Sequence, residues 1–123
     1  MPKKILVVDD KANIVLSLEF LMNKAGYEVR TASDGEEALA AIETDPPDLI
    51  LLDVNMPTKN GFEVCEAVRA RNEWSHIRII MLTAHGRDIE REKGLALGAD
   101  DYVTKPFAIH EVVSKVQELL EHS

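Results

Sequence analysis

The chain has one cysteine, one tryptophan and no long apolar run among its 123 residues. Cys65 has no second thiol to pair with, which excludes an internal disulfide and fits a reducing compartment. No stretch approaches the roughly 20 apolar residues of a membrane span. Only a few apolar residues follow Met-Pro-Lys-Lys before two acids, too few for a secretory signal. A soluble cytoplasmic protein is the expectation. Basic residues are also scarce: 14 Lys and Arg stand against 22 Asp and Glu, for a net charge of −8. That balance disfavours direct binding of nucleic acid. The histidines at 76, 85, 110 and 122 have no ligand-like spacing, so they read as surface residues rather than a zinc site.

What is present suits one domain, 1–123, with one core: 46% of residues are hydrophobic. Ile5 to Val8 is an apolar run closed by Asp9-Asp10. Ile14, Leu18, Leu21 and Ala25 recur at helical spacing before Gly26. Tyr27 to Ala32 alternates, with Tyr27, Val29 and Thr31 on one side, and reads as an edge strand. Asp34 is expected to cap the next helix, with Glu37 as its capping-box partner. That helix carries Ala38, Leu39 and Ile42 and stops at Pro46-Pro47. Leu49 to Leu52 is apolar without alternation, as in a strand buried on both faces, and it runs into Asp53. After a turn-rich loop, Phe62, Cys65 and Val68 mark a third helix, followed by a polar segment, Arg71 to His76. Ile77 to Leu82 forms a fourth strand ending at Thr83. A helix from about Arg87 to Leu97 has a thin stripe of Ile89, Ala96 and Leu97. Tyr102-Val103 is a short strand ending at Lys105-Pro106, and the last helix presents Ile109, Val112, Val113, Val116, Leu119 and Leu120.

Strict strand-helix alternation with short connections implies an α/β fold: a doubly wound parallel sheet with helices on both faces. A wet second strand and apolar neighbours fit the flavodoxin-like order 2-1-3-4-5. In such sheets ligands bind beyond the carboxyl ends of the strands. Four strand ends carry chemistry: Asp9-Asp10, Asp53, Thr83 and Lys105. Clustered carboxylates repel one another. A hard divalent cation relieves that conflict, and magnesium pairs one or two carboxylates with a substrate phosphate. A carboxylate beside it can accept a phosphoryl group. Lys105 adds a second cation and Thr83 a hydroxyl donor.

These residues resemble the receiver domain of bacterial two-component response regulators, the chemotaxis-regulator-like fold. The resemblance runs through Ile-Leu-Val-Val-Asp-Asp at 5–10, Leu-Leu-Asp-Val-Asn-Met-Pro at 51–57, Gly61, Leu-Thr-Ala at 82–84 and Gly-Ala-Asp-Asp-Tyr-Val-Thr-Lys-Pro-Phe at 98–107. It implies a phosphorylation-activated switch rather than a turnover enzyme. Asp53 resembles the phosphoacceptor. Asp10 looks like a direct Mg2+ ligand, Asp9 one acting through water, and the Asn55 carbonyl a further ligand. Thr83 resembles the switch hydroxyl and Tyr102 the aromatic that moves with it. Lys105 and the amide of Ala84 resemble the groups that contact the phosphoryl oxygens. The Lys105-Pro106 bond is implied to be cis, and Asn55 and His85 sit where the family modulates the phosphate's lifetime. The implied phosphodonor is a sensor histidine kinase or phosphotransfer protein, with kinase specificity on the first helix and the strand-five loop. The implied output is a protein effector, or a phosphorylation-dependent homodimer, at the face of the fourth helix, fifth strand and fifth helix.

Blander readings stand beside these. Asp9-Asp10 alone would serve equally as a helix cap, Thr83 as a satisfied strand end, Tyr102 as a packing residue and Lys105 as a solvated lysine. Gly61 reads as a turn or helix-start glycine with no chemistry, Cys65 as core, and Trp74 as a cover for the third helix. An aspartate-nucleophile phosphatase would want Asp-x-Asp after the first strand, and here the acids are adjacent. A flavin-binding module would want Ser, Thr or Gly there, where two carboxylates would repel the cofactor. The chain has room only for the receiver; it is stand-alone or part of a longer protein.

Overall fold

Every residue of the central strand β3 (Leu49–Asp53) is buried. In the computed structural model, which describes residues 2–84 and 86–121, it pairs with β1 (Lys4–Val8) on one side and β4 (Arg78–Ala84) on the other. Strands β2 (Glu28–Ala32) and β5 (Asp101–Lys105) complete the sheet as its edges. All pairings are parallel, and the order is β2-β1-β3-β4-β5. The helices α1 (Ala12–Lys24), α2 (Gly35–Thr44), α3 (Gly61–Arg69), α4 (Asp88–Ala96) and α5 (Ile109–Glu121) alternate with the strands. The doubly wound arrangement expected from strand-helix alternation is therefore present.

Side-chain alternation along the strands divides the core in two. Leu6, Val8, Ile50, Leu52, Ile79 and Met81 pack against α2 and α3 residues such as Ile42, Val64 and Val68. Ile5, Val7, Leu49, Leu51, Ile80 and Leu82 pack against Leu18 and Met22 of α1 and Val112 and Val116 of α5. Continuing that alternation, Asp9, Asp53 and Lys105 follow the α1/α5 face, whereas Thr83 and Tyr102 follow the opposite one.

Local chemistry explains most element boundaries, with several differences from expectation. Asp34 caps α2, its carboxylate accepting from the Glu37 amide at 2.8 Å. Glu37 does not close the box: its carboxylate accepts from the amide and hydroxyl of Ser33 instead. The reciprocal box is at α3, where Asn60 Oδ1 accepts from the Glu63 amide and Glu63 Oε1 from the Asn60 amide, both at 2.9 Å. The stripe on α4 is not Ile89 and Ala96: Ile89 is 80% exposed and Ala96 is exposed. The buried residues of α4 are Glu90 and Gly94, and Leu97, just past the helix, packs on the core. Ile109 is also exposed rather than inward, as is Thr31. The polar segment before β4 contains a 3-10 turn, Asn72–Trp74. It buries Trp74 against the α3 side of the core, with the Arg71 guanidinium 3.9 Å from the ring centre.

Candidate functional site

The register of the sheet brings the strand ends into one row. Asp53 pairs with Leu82, Ala84 pairs with Lys105, and Asp9 directly follows Val8, the last residue of β1. Asp9 is completely buried and Asp53 is 3% exposed. Lys105 joins them: its Nζ donates to Asp9 Oδ2 at 2.6 Å and to Asp53 Oδ1 at 3.1 Å. Asp9 Oδ1 also accepts the Lys11 amide at 2.9 Å, so this residue both holds the turn that leads into α1 and belongs to the site. Asp10 lies at the exposed mouth, bridged to Lys11 at 3.3 Å. Ligand oxygens of Asp9, Asp10 and Asp53 lie within 4.8 Å of one another.

The electrostatics follow from this crowding. Burial, then the charge of Asp9, pushes the Asp53 carboxyl up to about 6, against the opposing pull of Lys105. Asp10 behaves differently. Its partial burial raises its pKa, but the hydrogen bond and charge of Lys11 outweigh that and hold it below the usual carboxylate range. One half-buried lysine, Lys105, thus sits among more negative charge than it neutralises. Two polar atoms at the site are buried with no hydrogen-bond partner among the described residues: Asp53 Oδ2 and Thr83 Oγ1. Buried polar atoms are normally satisfied. A free carboxylate oxygen beside two further acids fits a hard, oxygen-seeking cation, so the donor set accommodates Mg2+.

The structure therefore gathers Asp9, Asp10, Asp53 and Lys105, with Thr83 on the adjacent strand end. Asn55 is exposed in the loop two residues beyond Asp53, Ala84 is exposed at the end of β4, and the Lys105-Pro106 bond is cis. Tyr102 is set back from the row, opposite Met81. It is half-buried, with the Arg91 and Lys115 cations 5.0 and 5.4 Å from its ring centre. His85 lies outside the described residues.

Comparison with known proteins agrees with this geometry. Residues 5–117 match the response regulator receiver domain. The chain belongs to that family. Its receiver fold is 39% identical to a response regulator from Chloroflexus aurantiacus J-10-fl, with a TM-score of 0.95, covering 98% of this chain and 99% of that one. It is 37% identical to the chemotaxis response regulator CheY4 of Vibrio cholerae, with a TM-score of 0.91 over 97% and 99% of the two chains. Among curated proteins it is 50% identical, over all 123 residues, to the alkaline phosphatase synthesis transcriptional regulatory protein PhoP of Bacillus subtilis (strain 168), and spans 50% of that protein's length. A receiver of this kind is a phosphorylation-activated signalling switch rather than a classical enzyme, and the phosphatase alternative is not favoured. No helix among the described residues is long and apolar enough to cross a membrane.

Two contributors escaped the sequence reading. Gly61, given no chemistry there, lies against the Asp53 backbone, a proximity that a lone glycine does not announce. The Asn60-x-x-Glu63 cap that starts α3 beside the site had a legible signal, an Asx residue three before a glutamate.

Proposed function

We propose that Asp53 is the phosphoacceptor of this receiver, and that residues 1–123 act as one switching unit. The observation that carries this reading is the buried, unpartnered Oδ2 of Asp53, beside a carboxylate oxygen already held by Lys105. The free oxygen is the nucleophile. It attacks phosphorus on a phosphohistidine of a sensor kinase or phosphotransfer protein, the P–N bond breaks, and the imidazole nitrogen leaves as the neutral ring after taking up a proton. Asp9, Asp10, Asp53 and the Asn55 carbonyl would hold Mg2+, which supplies positive charge to the transferring phosphoryl oxygens. Lys105 supplies the second positive charge from the end of β5, and the Ala84 amide donates to the same oxygens. Thr83 then turns its hydroxyl toward the phosphoryl group, and Tyr102 moves inward with it. Hydrolysis on the same site resets the switch, so the only catalysis is on the protein's own phosphate, with its lifetime tuned at Asn55.

The phosphodonor is proposed to dock over α1 and the β5–α5 loop. There Ile14, Phe20, Leu21, Phe107 and Ile109 line an apolar groove of about 350 Å³. The output is proposed to be read by a protein effector, or a second receiver, on the α4-β5-α5 face, in the cytoplasm. The test is phosphotransfer profiling against the histidine kinases of the source organism, with Asp53→Ala as control. Transfer to the wild-type chain that is lost in Asp53→Ala supports the reading; persistent labelling of Asp53→Ala rejects it.

A further inference from the structure

The loop 55–60, which leads from the Asp53 end of β3 into α3, is pinned along its whole length. Its base is closed by the Gly61 amide, which donates to Val54 O at 2.9 Å. Met56 packs back onto the core. Its outer end, Thr58 and Lys59, rests on the first turn of α2. There the Glu36 amide donates to Thr58 Oγ1 at 3.2 Å. A Cβ on buried Gly35 would collide with the Lys59 carbonyl oxygen and stand 2.5 Å from Lys59 Cβ, so the two segments pack with no room for a side chain between them.

This seating holds a strained backbone. Thr58 has φ 65°, the only positive φ of a non-glycine residue among those described. A β-branched residue in the left-handed region is an outlier. Such strain persists only where the surroundings over-determine the conformation. A second cap for α2 would account for the hydroxyl but not for the backbone. The first turn of α2 already has Asp34, whose carboxylate takes the Glu37 amide, and Glu36 is exposed, so water could satisfy its amide. The strained residue lies between Asn55 and the start of α3, and the contacts that sustain it fix the main chain on either side.

We propose that Thr58 is a positioning residue for the metal: latched to α2 through the Glu36 amide beside Gly35, it holds the Asn55 carbonyl in place and makes the site selective for Mg2+ over Ca2+. This rests on the reading that Asp9, Asp10, Asp53 and the Asn55 carbonyl hold the ion. Mg2+ demands near-ideal octahedral geometry with ligands at about 2.0–2.1 Å, whereas Ca2+ accepts flexible arrangements at about 2.3–2.6 Å. A carbonyl on a free loop gives way to the larger ion; one on a latched loop does not. The helix that follows the edge strand β2 contributes no ligand, yet through this contact it sets which ion the site prefers. A latch that only stabilised the fold would affect both ions alike.

The test uses the full chain without a phosphodonor, with Mg2+ and Ca2+ affinities measured separately by NMR titration. Thr58 is exposed, so its variants leave the core intact. Thr58→Val keeps the branched shape and removes the hydroxyl. It should weaken Mg2+ binding about fivefold, on the order of one neutral hydrogen bond, and leave Ca2+ binding nearly unchanged. Thr58→Ser, which keeps the hydroxyl, should restore the wild-type preference. Thr58→Gly, which loses the hydroxyl but relieves the backbone, should fall between the serine and valine variants. Unchanged Mg2+ affinity in Thr58→Val, an equal loss for both ions, or a serine variant as poor as the valine one overturns the proposal. A wild-type chain that binds Mg2+ no better than Asp53→Asn overturns the metal reading itself, and so is told apart from failure at Thr58.

Discussion

Gly61 lies so close to Asp53 that a Cβ on it would stand 2.3 Å from the Asp53 carbonyl oxygen. The Gly61 amide also donates to Val54 O at 2.9 Å, so the start of α3 is seated directly on the end of β3. Gly61→Ala must push the two apart. The expected cost is about 1–3 kcal/mol of stability, typical of overpacking, together with slower phosphorylation of Asp53 at temperatures where the variant stays folded. Urea unfolding and phosphorylation time courses measure both, and wild-type values in each would show that the contact is not needed.

Lys105 acts as the resting counter-ion of Asp9 and Asp53. Lys105→Met removes that charge, so Asp53 should titrate still higher than about 6 in the metal-free protein, since Lys105 opposes the upward shift. A divalent cation no longer competes with the ammonium group, and Mg2+ should bind a few-fold more tightly at pH 8. Phosphorylation by a small-molecule donor should nevertheless slow. Weaker Mg2+ binding would contradict the counter-ion role.

The raised pKa of Asp53 has a stability signature. The group loses its proton near 3.8 when unfolded and near about 6 when folded. Between those values the folded state holds a proton that the unfolded state has released. Stability therefore falls as pH rises through this window, and the penalty is complete above it. In EDTA, Asp53→Asn should be more stable than wild type at pH 7 by at most on the order of 3 kcal/mol. The gap should close below pH 4. Urea titrations of both proteins at pH 4 and pH 7 check this, and a gap that widens toward low pH would reverse the assignment.

Ile89 was expected to anchor α4 but projects into solvent. Ile89→Ser should change stability by less than about 0.5 kcal/mol, as for other surface sites. If the α4-β5-α5 face carries the output, the same substitution should weaken self-association or effector binding of the beryllofluoride-treated protein, as read by analytical ultracentrifugation or pull-down. A large loss of stability would mean that Ile89 is buried after all.

The sheet was legible because its three inner strands are short and apolar, because Gly, Pro and acids punctuate the chain between elements, and because β3 lacks alternation. The acidic row was legible because each acid ends such a strand. The burial pattern of α4 was not. Its helical spacing pointed to Ile89 and Ala96, but the buried residues are Gly94, which lets the helix approach Met81 closely, and Glu90, which pairs with Arg87. Hydrophobic periodicity cannot register a glycine and a glutamate as an inward face. At α2, Glu37 had the right spacing for a box, but the nearby Ser33 hydroxyl and amide took its carboxylate.

Trp74 is the chain's single tryptophan, 4% exposed and set beneath Arg71 just before β4. Asp53 and Thr83 lie at the other end of the sheet. The protein therefore carries an intrinsic fluorophore at the pole opposite its chemistry. Its emission should follow global unfolding closely while barely responding to occupancy of Asp53, which makes stability and signalling state separable by optical means in one unlabelled sample.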